Sequence, residues 1–372
     1  MKQELREVPL SGPYLDEREE ELVLEVMRSG RLSLGPMVDR FEELFAARAG
    51  APYAAAVSSG TAGLHLLCVT AGIGPGDEVI TSPYSFAASA NCFVYEGGVP
   101  VFADIDARTL NLDPRAVEAA ITPRTKAIVA VDIYGYPCEL DELRTIADKH
   151  GLRLIDDSCE ALGAEYKGAP LGSQGPSAVF AFYPNKQMTT GEGGIVTTHS
   201  EEEWRLLRSL RNQGRGDSGG WLEHVRLGFN YRLDDVHAAI GIGQLEKLGE
   251  IFTLREQVAQ RYDELLAGLG GVDLPCPDDE EHKRSWFVYV VALPDNDTRE
   301  RVIATFERER IGFNRYLPSI HLQPYMRERY GFREGMCPVS EDLSSRTLAL
   351  PFFTALERDA QERVAEVLAS AL

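Results

Sequence analysis

Ala178-Val-Phe-Ala-Phe-Tyr-Pro-Asn-Lys-Gln-Met-Thr-Thr-Gly-Glu-Gly-Gly-Ile-Val196 is an apolar run that breaks at Pro184, passes through a polar, glycine-rich turn and becomes apolar again. Residues 178–182 read as a buried strand, 191–194 as a tight loop and 195–198 as a returning strand. Lys186 therefore stands where a rigid sheet gives way to a loop, a position that often carries function. A lysine between two apolar strands sheds hydration, and its neutral amine can then attack an aldehyde to give a Schiff base. A plain surface lysine is the competing reading.

Working outward, the chain alternates. Helices are expected over 16–29 and 37–47, then a strand at 53–57, a helix from Thr61, a strand at 78–81, a helix from Ser85 and a strand at 99–103. A helix from Asp113, a strand at 126–132, a helix over 139–150 and a strand at 152–156 follow. Strands alternating with helices of this length imply an α/β fold, a mostly parallel sheet covered on both faces. Ligands in such sheets bind beyond the strands' C-terminal ends. After Thr198 come a helix over 201–211, a Gly-rich segment at 213–220 expected to be a mobile loop, and one long amphipathic stretch over 233–268. The pattern divides into a lead and large domain, 1–250, and a smaller C-terminal α+β domain, 251–372.

The 372 residues are 44% hydrophobic and 26% charged, ordinary for a globular enzyme. A formal charge of −20 argues against nucleic acid or an anionic membrane as the main partner. Six widely spaced cysteines with no CxxC pair point to reduced, buried thiols, with no metal site expected. The N-terminal residues lack an apolar targeting core and no stretch is long enough to span a bilayer, so a cytoplasmic location is expected.

Four segments together suggest a cofactor. Ser58-Ser-Gly-Thr-Ala-Gly-Leu-His65 opens a helix on Gly60 and Thr61, whose free N–H groups and positive dipole end suit a phosphate, although an ordinary N-cap reads the same way. Leu154-Ile-Asp-Asp-Ser-Cys-Glu160 puts two carboxylates after a strand, where one can keep a pyridine nitrogen protonated and make the ring an electron sink. Either Asp156 or Asp157 can fill that role, and a capping acid is the alternative. Ser82-Pro-Tyr-Ser-Phe86 places Tyr84 and Phe86 past another strand end, positioned to stack on a planar ring or simply to fill the core. Lys186 is the fourth. The order phosphate turn, aromatic, acid, lysine is that expected of a pyridoxal-phosphate enzyme.

These segments, with Gly228-Phe-Asn-Tyr-Arg-Leu-Asp234 and Arg315-Tyr-Leu-Pro-Ser-Ile-His321, resemble the DegT/StrS family of sugar aminotransferases over essentially the whole chain. The resemblance implies the fold type I pyridoxal-phosphate transferase architecture, a three-layer sandwich, working as a homodimer with shared active sites. It makes Lys186 the Schiff-base lysine, Asp157 the partner of the pyridine nitrogen, Phe86 the stacking ring and Gly60 with Thr61 the phosphate turn. Glu160 falls near the cofactor's phenolic oxygen, and Asn230 matches a residue that reaches the phosphate from the other subunit. Ser33, Tyr316 and His321 match positions on the sugar-nucleotide side. The implied reaction moves an amino group from L-glutamate through pyridoxamine phosphate to a nucleotide-linked keto sugar, with a perosamine-type 4-aminotransferase as the specific expectation.

Two positions depart from the family. Ala181 stands where a serine hydroxyl often binds the phosphate, and Glu160 where Gln or His is common, so an acid there is expected to be protonated or to repel the cofactor's oxygen. A sugar 3-dehydratase of the same family is a rival, although that branch carries His in place of Lys186. A non-catalytic cofactor-binding regulator is the other.

Overall fold

The computed structural model describes residues 6–216 and 223–372. Five strands carry the expected alternation: β1 (Tyr53–Val57), β2 (Glu78–Thr81), β3 (Val99–Phe102), β4 (Thr125–Val131) and β5 (Arg153–Asp157). Two short strands, β6 (Glu165–Tyr166) and β7 (Ala169–Pro170), precede β8 (Ser177–Ala181) and β9 (Gly194–Thr198). Later strands are β10 (His282–Lys283), β11 (Tyr289–Ala292) and β12 (Thr347–Leu350). Between them run α1 (Glu17–Ser29), α2 (Pro36–Ala49), α3 (Gly60–Thr70), α4 (Ala88–Val94), α5 (Pro114–Ala120), α6 (Leu140–His150) and α7 (Glu201–Arg211). The remaining helices are α8 (Asp235–Glu246), α9 (Leu248–Leu266), α10 (Asn296–Arg308), α11 (Pro324–Tyr330), α12 (Pro338–Arg346) and α13 (Arg358–Ala371).

Among the described residues, seven strands form one sheet in the order β1-β9-β8-β5-β4-β2-β3. Only β9 runs against the rest, pairing antiparallel with β1 and β8, so the sheet is mostly parallel as expected. Side-chain alternation sends Ala54, Ile128, Leu154 and Phe180 to a face covered by Leu22 of α1, Phe41 and Phe45 of α2 and Leu143 of α6. Ala55, Val129, Ile155 and Val179 face the other way, under Leu66 of α3, Phe93 of α4 and Leu207 of α7. The result is a three-layer sandwich. Phe182, just past β8, packs edge-on to Phe41 and Phe45 at ring-centroid distances of 5.6 and 5.7 Å. Each such pair adds about 1 kcal/mol beyond area burial. That packing anchors the chain four residues before Lys186.

Downstream, Val258 and Tyr262 of α9, Val302 and Phe306 of α10 and Val364 of α13 enclose the antiparallel pair β11/β12 in a separate apolar cluster. Val8 reaches this cluster from the start of the chain through a bridge to Ile311.

Three expectations need correction or restriction. The stretch over 233–268 is two helices, broken at Lys247, whose backbone leaves helical geometry at φ −115°, ψ 14°. Lys247 there donates to Asp16 at 2.8 Å and Glu19 at 2.7 Å, tying the break to α1. Periodicity continues through the break because α8 is buried, close enough to α2 that a Cβ on Gly241 would lie 2.6 Å from Phe41. The helix expected from Ser85 begins at Ala88, because the Ser85 and Ser89 hydroxyls bond each other at 2.7 Å across an irregular turn. The expected mobile loop at 213–220 lies partly outside the described residues.

Candidate active site

β5 and β8 pair in parallel with Asp157 opposite Val179, so the acid and the run leading to Lys186 finish at the same sheet edge. The Lys186 side chain is 13% exposed and its Nζ lies 3.4 Å from Glu160 Oε1. The same ammonium sits 3.9 Å from the centroid of the Phe287 ring, a cation–π contact. The other Glu160 oxygen accepts the Tyr134 N–H at 3.0 Å. Tyr134 follows β4 in a left-handed conformation at φ 54°, followed by Gly135 at φ 84°. A Cβ on Gly135 would lie 1.8 Å from the Ser285 carbonyl oxygen, so no other residue fits.

Asp157 is buried; it accepts the Ser89 hydroxyl at 2.6 Å and the Cys159 N–H at 3.3 Å. Phe86 lies on the same turn as Ser85 and Ser89, and its ring is 67% exposed, unusual for a large apolar side chain beside a buried acid. At the start of α3 the Ser59 side chain accepts the Ala62 N–H, leaving the first N–H groups, at Gly60 and Thr61, without an intrahelical acceptor. A Cβ on Gly60 would lie 2.8 Å from both Ala181 Cβ and Cys159 Sγ. The helix opening thus presents bare backbone against Ala181 at the end of β8, with Asp157 at the end of β5 and Lys186 in the turn that follows β8. A helix opening with free N–H groups, a buried acid, an exposed aromatic ring and a lysine, gathered at neighbouring strand ends, have the chemistry needed to hold pyridoxal phosphate.

Tyr316 joins this cluster: its ring stacks with Tyr134 at 6.3 Å and its hydroxyl accepts a long 3.5 Å bond from Asn185. Ser33 and Asn230 do not. Ser33 is exposed in the turn before α2, next to a groove of about 210 Å³ lined in part by Leu34, Gly35, Arg208, Arg211, Asn212 and Arg232. Asn230 is exposed on a bridge with Asn212, on the same side of the chain. His321 belongs to neither group. It is fully buried, bonded to Glu341 at 3.0 Å with Phe102 at 5.9 Å, so the expected sugar-facing ring is instead packed inside.

Several residues of the cluster escaped the sequence reading. The buried Arg255 guanidinium of α9 donates to the carbonyls of Asn185 and Lys186 at 3.2 Å and of Trp286 at 3.1 Å, fixing the lysine's backbone. Burial lowers its pKa to about 10. Neither Arg255 nor Phe287 sits in a local pattern that marks it. Tyr134-Gly135, directly after a predicted strand, was a readable signal.

Asp156 points away from Asp157's side of the sheet into a buried trio with Asp132 and Cys138, donor atoms within 4.8 Å of one another. Asp132 accepts the Cys138 N–H and the Ser158 hydroxyl, both at 2.8 Å. Burial, then the Asp132 charge, holds the Asp156 carboxyl well above its ordinary range. In the unfolded chain it ionises near pH 4, so its stabilising contribution is complete below that pH and is lost as pH rises towards the folded value. Asp156→Asn is therefore expected to match wild type near pH 4 and to gain about 1.4 kcal/mol per pH unit through that window. Urea unfolding at pH 4.5 and 8 measures it, and an equal difference at both pH values would refute the assignment.

The model of the DegT/DnrJ/EryC1/StrS aminotransferase family matches residues 13–369. The chain belongs to that family. Among curated relatives of this aminotransferase, the spore coat polysaccharide biosynthesis protein SpsC of Bacillus subtilis is 37% identical over 97% of this chain and 96% of its own. GDP-perosamine synthase of Caulobacter vibrioides is 39% identical over 86% of this chain and 87% of its own. The solved structure of S. venezuelae DesV in complex with ketimine intermediate superposes with a TM-score of 0.90 at 34% identity, covering 97% of this chain and 98% of that one. The protein is thus an aminotransferase of a family that works on sugars, built on the fold type I architecture. Among the described residues no helix is long and apolar enough to cross a membrane.

Proposed function

We propose that this aminotransferase moves an amino group from L-glutamate to the 4-keto carbon of a nucleotide-linked 6-deoxyhexose, acting as a cytoplasmic homodimer with pyridoxal phosphate. The observation that carries the reading is Lys186 held against Glu160 and Phe287 beside Asp157 and the open start of α3. The 39% identity to GDP-perosamine synthase favours the sugar and its position. When bound, the cofactor supplies a carbonyl for amine exchange and a ring that delocalises a carbanion.

The chain's residues do the rest. Gly60, Thr61 and the α3 dipole hold the phosphate, and Phe86 stacks on the ring. Asp157 keeps a proton on the ring nitrogen. Lys186 takes the proton from the donor's Cα and returns it on the other side of the exchange, then reverses the sequence on the sugar carbon. Tyr316 contacts the sugar side of the crevice. Ser33 and Asn230, both exposed, serve the site of the other subunit.

Incubation with glutamate and a panel of nucleotide-linked keto sugars, read by mass, tests this reading. A 4-amino-6-deoxyhexose product is expected. Amino transfer confined to a 3-keto sugar or to a non-nucleotide acceptor would overturn it.

Glu160 Oε1 lies 3.4 Å from the lysine nitrogen. Glu160→Gln replaces that carboxyl with an amide of the same shape, and it is expected to shift the pH at which the cofactor's visible absorbance changes. A spectrophotometric titration measures this, and an unchanged midpoint would show that Glu160 does not act on that nitrogen.

A further inference from the structure

His65, in the second turn of α3, is 3% exposed, and its ring has a partner on every side. Nε2 bonds Glu96 at 2.7 Å and Nδ1 meets the Tyr231 hydroxyl at 3.1 Å. Its face meets Phe229 edge-on at 4.8 Å, and the Phe229 and Tyr231 rings stack on each other at 5.0 Å and 12°. These two aromatic residues flank Asn230, which is itself exposed. The backbone around Asn230 is equally constrained. Phe229 N–H donates to Leu210 O at 2.6 Å, Tyr231 N–H to Arg211 O at 2.9 Å, and Ser58 N–H to Tyr231 O at 2.9 Å. Ser58 precedes the residue that caps α3.

We propose that His65 is a positioning residue that acts in trans: it aims Asn230 of its own chain at the cofactor phosphate bound by the other subunit. One helix then has two duties. Its first turn opens the phosphate site of its own chain, and its second turn holds the residue delivered to the other chain. The inference rests on the proposed homodimer with Asn230 donated across it. A histidine suits the task because its two nitrogens engage Glu96 and Tyr231 while its ring meets Phe229 edge-on, locking one orientation. Packing alone would be met by leucine, which leaves Glu96 and the Tyr231 hydroxyl without their partner.

Hybrid dimers carrying two affinity tags separate the possibilities. One chain bears Lys186→Ala and the other Asn230→Ala. Only the Asn230→Ala chain retains Lys186, and the Asn230 that would serve its site comes from the Lys186→Ala chain. Titration with pyridoxal phosphate, followed by the visible absorbance of the lysine-bound cofactor, reads that site alone. Wild-type affinity is expected in this hybrid, against weakened binding in the Asn230→Ala homodimer. His65→Leu added to the Lys186→Ala chain is expected to weaken binding about tenfold, and Tyr231→Phe there about threefold. The same substitutions in the chain that carries Lys186 are expected to leave binding within twofold.

Failure of the hybrid to recover affinity would overturn the trans donation of Asn230 and the proposal with it. Recovery followed by equal losses from either chain, by losses only in the Lys186 chain, or by no loss from either substitution would overturn the role of His65 alone.

Discussion

Lys186→Ala is expected to abolish amino transfer, by at least about 10⁴-fold, since in the proposed mechanism the substitution removes both the amine that joins the cofactor and the base that moves the proton. The fold should survive. Lys186 donates its backbone N–H to Tyr183 at 2.9 Å and its carbonyl accepts from Arg255 at 3.2 Å, and neither bond uses the side chain. Glu160 loses an ion-pair partner but keeps the Tyr134 N–H. Product formation by mass and the visible spectrum of the reconstituted protein measure the effect. Turnover within tenfold of wild type would remove Lys186 from the chemistry.

Asp157→Asn is expected to lower kcat by roughly 10²- to 10⁴-fold, from about 3–5 kcal/mol for removing one partner of a buried charge pair. The asparagine is isosteric: its one oxygen still accepts the Cys159 N–H, and its NH2 donates to the Ser89 hydroxyl, which turns its own proton to Ser85, so folding is preserved. An amide cannot balance a protonated ring nitrogen, so the loss falls on the chemical step while KM for the sugar changes little. Asp156→Asn supplies the contrast: its carboxyl belongs to the Asp132 and Cys138 trio, and kcat is expected to stay within about threefold, a change of under 1 kcal/mol. Equal kcat losses in the two variants would mean that the acids have been assigned on the wrong basis.

The two aspartates mark where local pattern stops being informative. Both were visible as a pair after a buried strand, and strand alternation says they face opposite sides of the sheet. Which side holds the crevice depends on what covers each face. In the fold Asp157 meets Ser89 of α4, whereas Asp156 lies in the buried trio. The helix expected over 233–268 failed for a related reason. The kink at Lys247 is held by Asp16 and Glu19, more than two hundred residues earlier, and nothing in the local periodicity records that contact.

His321 and Tyr316 show the same limit from the other direction. Their sequence positions looked equivalent as sugar-side residues, yet Tyr316 stacks with Tyr134 beside Lys186 while His321 is enclosed with Glu341 and Phe102. Five residues apart, they are separated by a short turn whose path is set by packing against Pro83 and Tyr84, which accept from and donate to it.

By itself the sequence determined the alternation of strands and helices, the parallel sheet it forces, and the lysine, acid and glycine turn at the strand ends. Each of these follows from spacing within a few residues, where hydrophobic period and backbone sterics act. Only the tertiary structure decided the partners of Lys186. Glu160 comes from the neighbouring strand end, Phe287 and Arg255 from the segment that packs against the sheet edge, and Tyr134 from a left-handed turn that meets Ser285. These contacts join residues up to 150 positions apart, and their geometry is set by close packing of whole layers, which no local window of sequence contains.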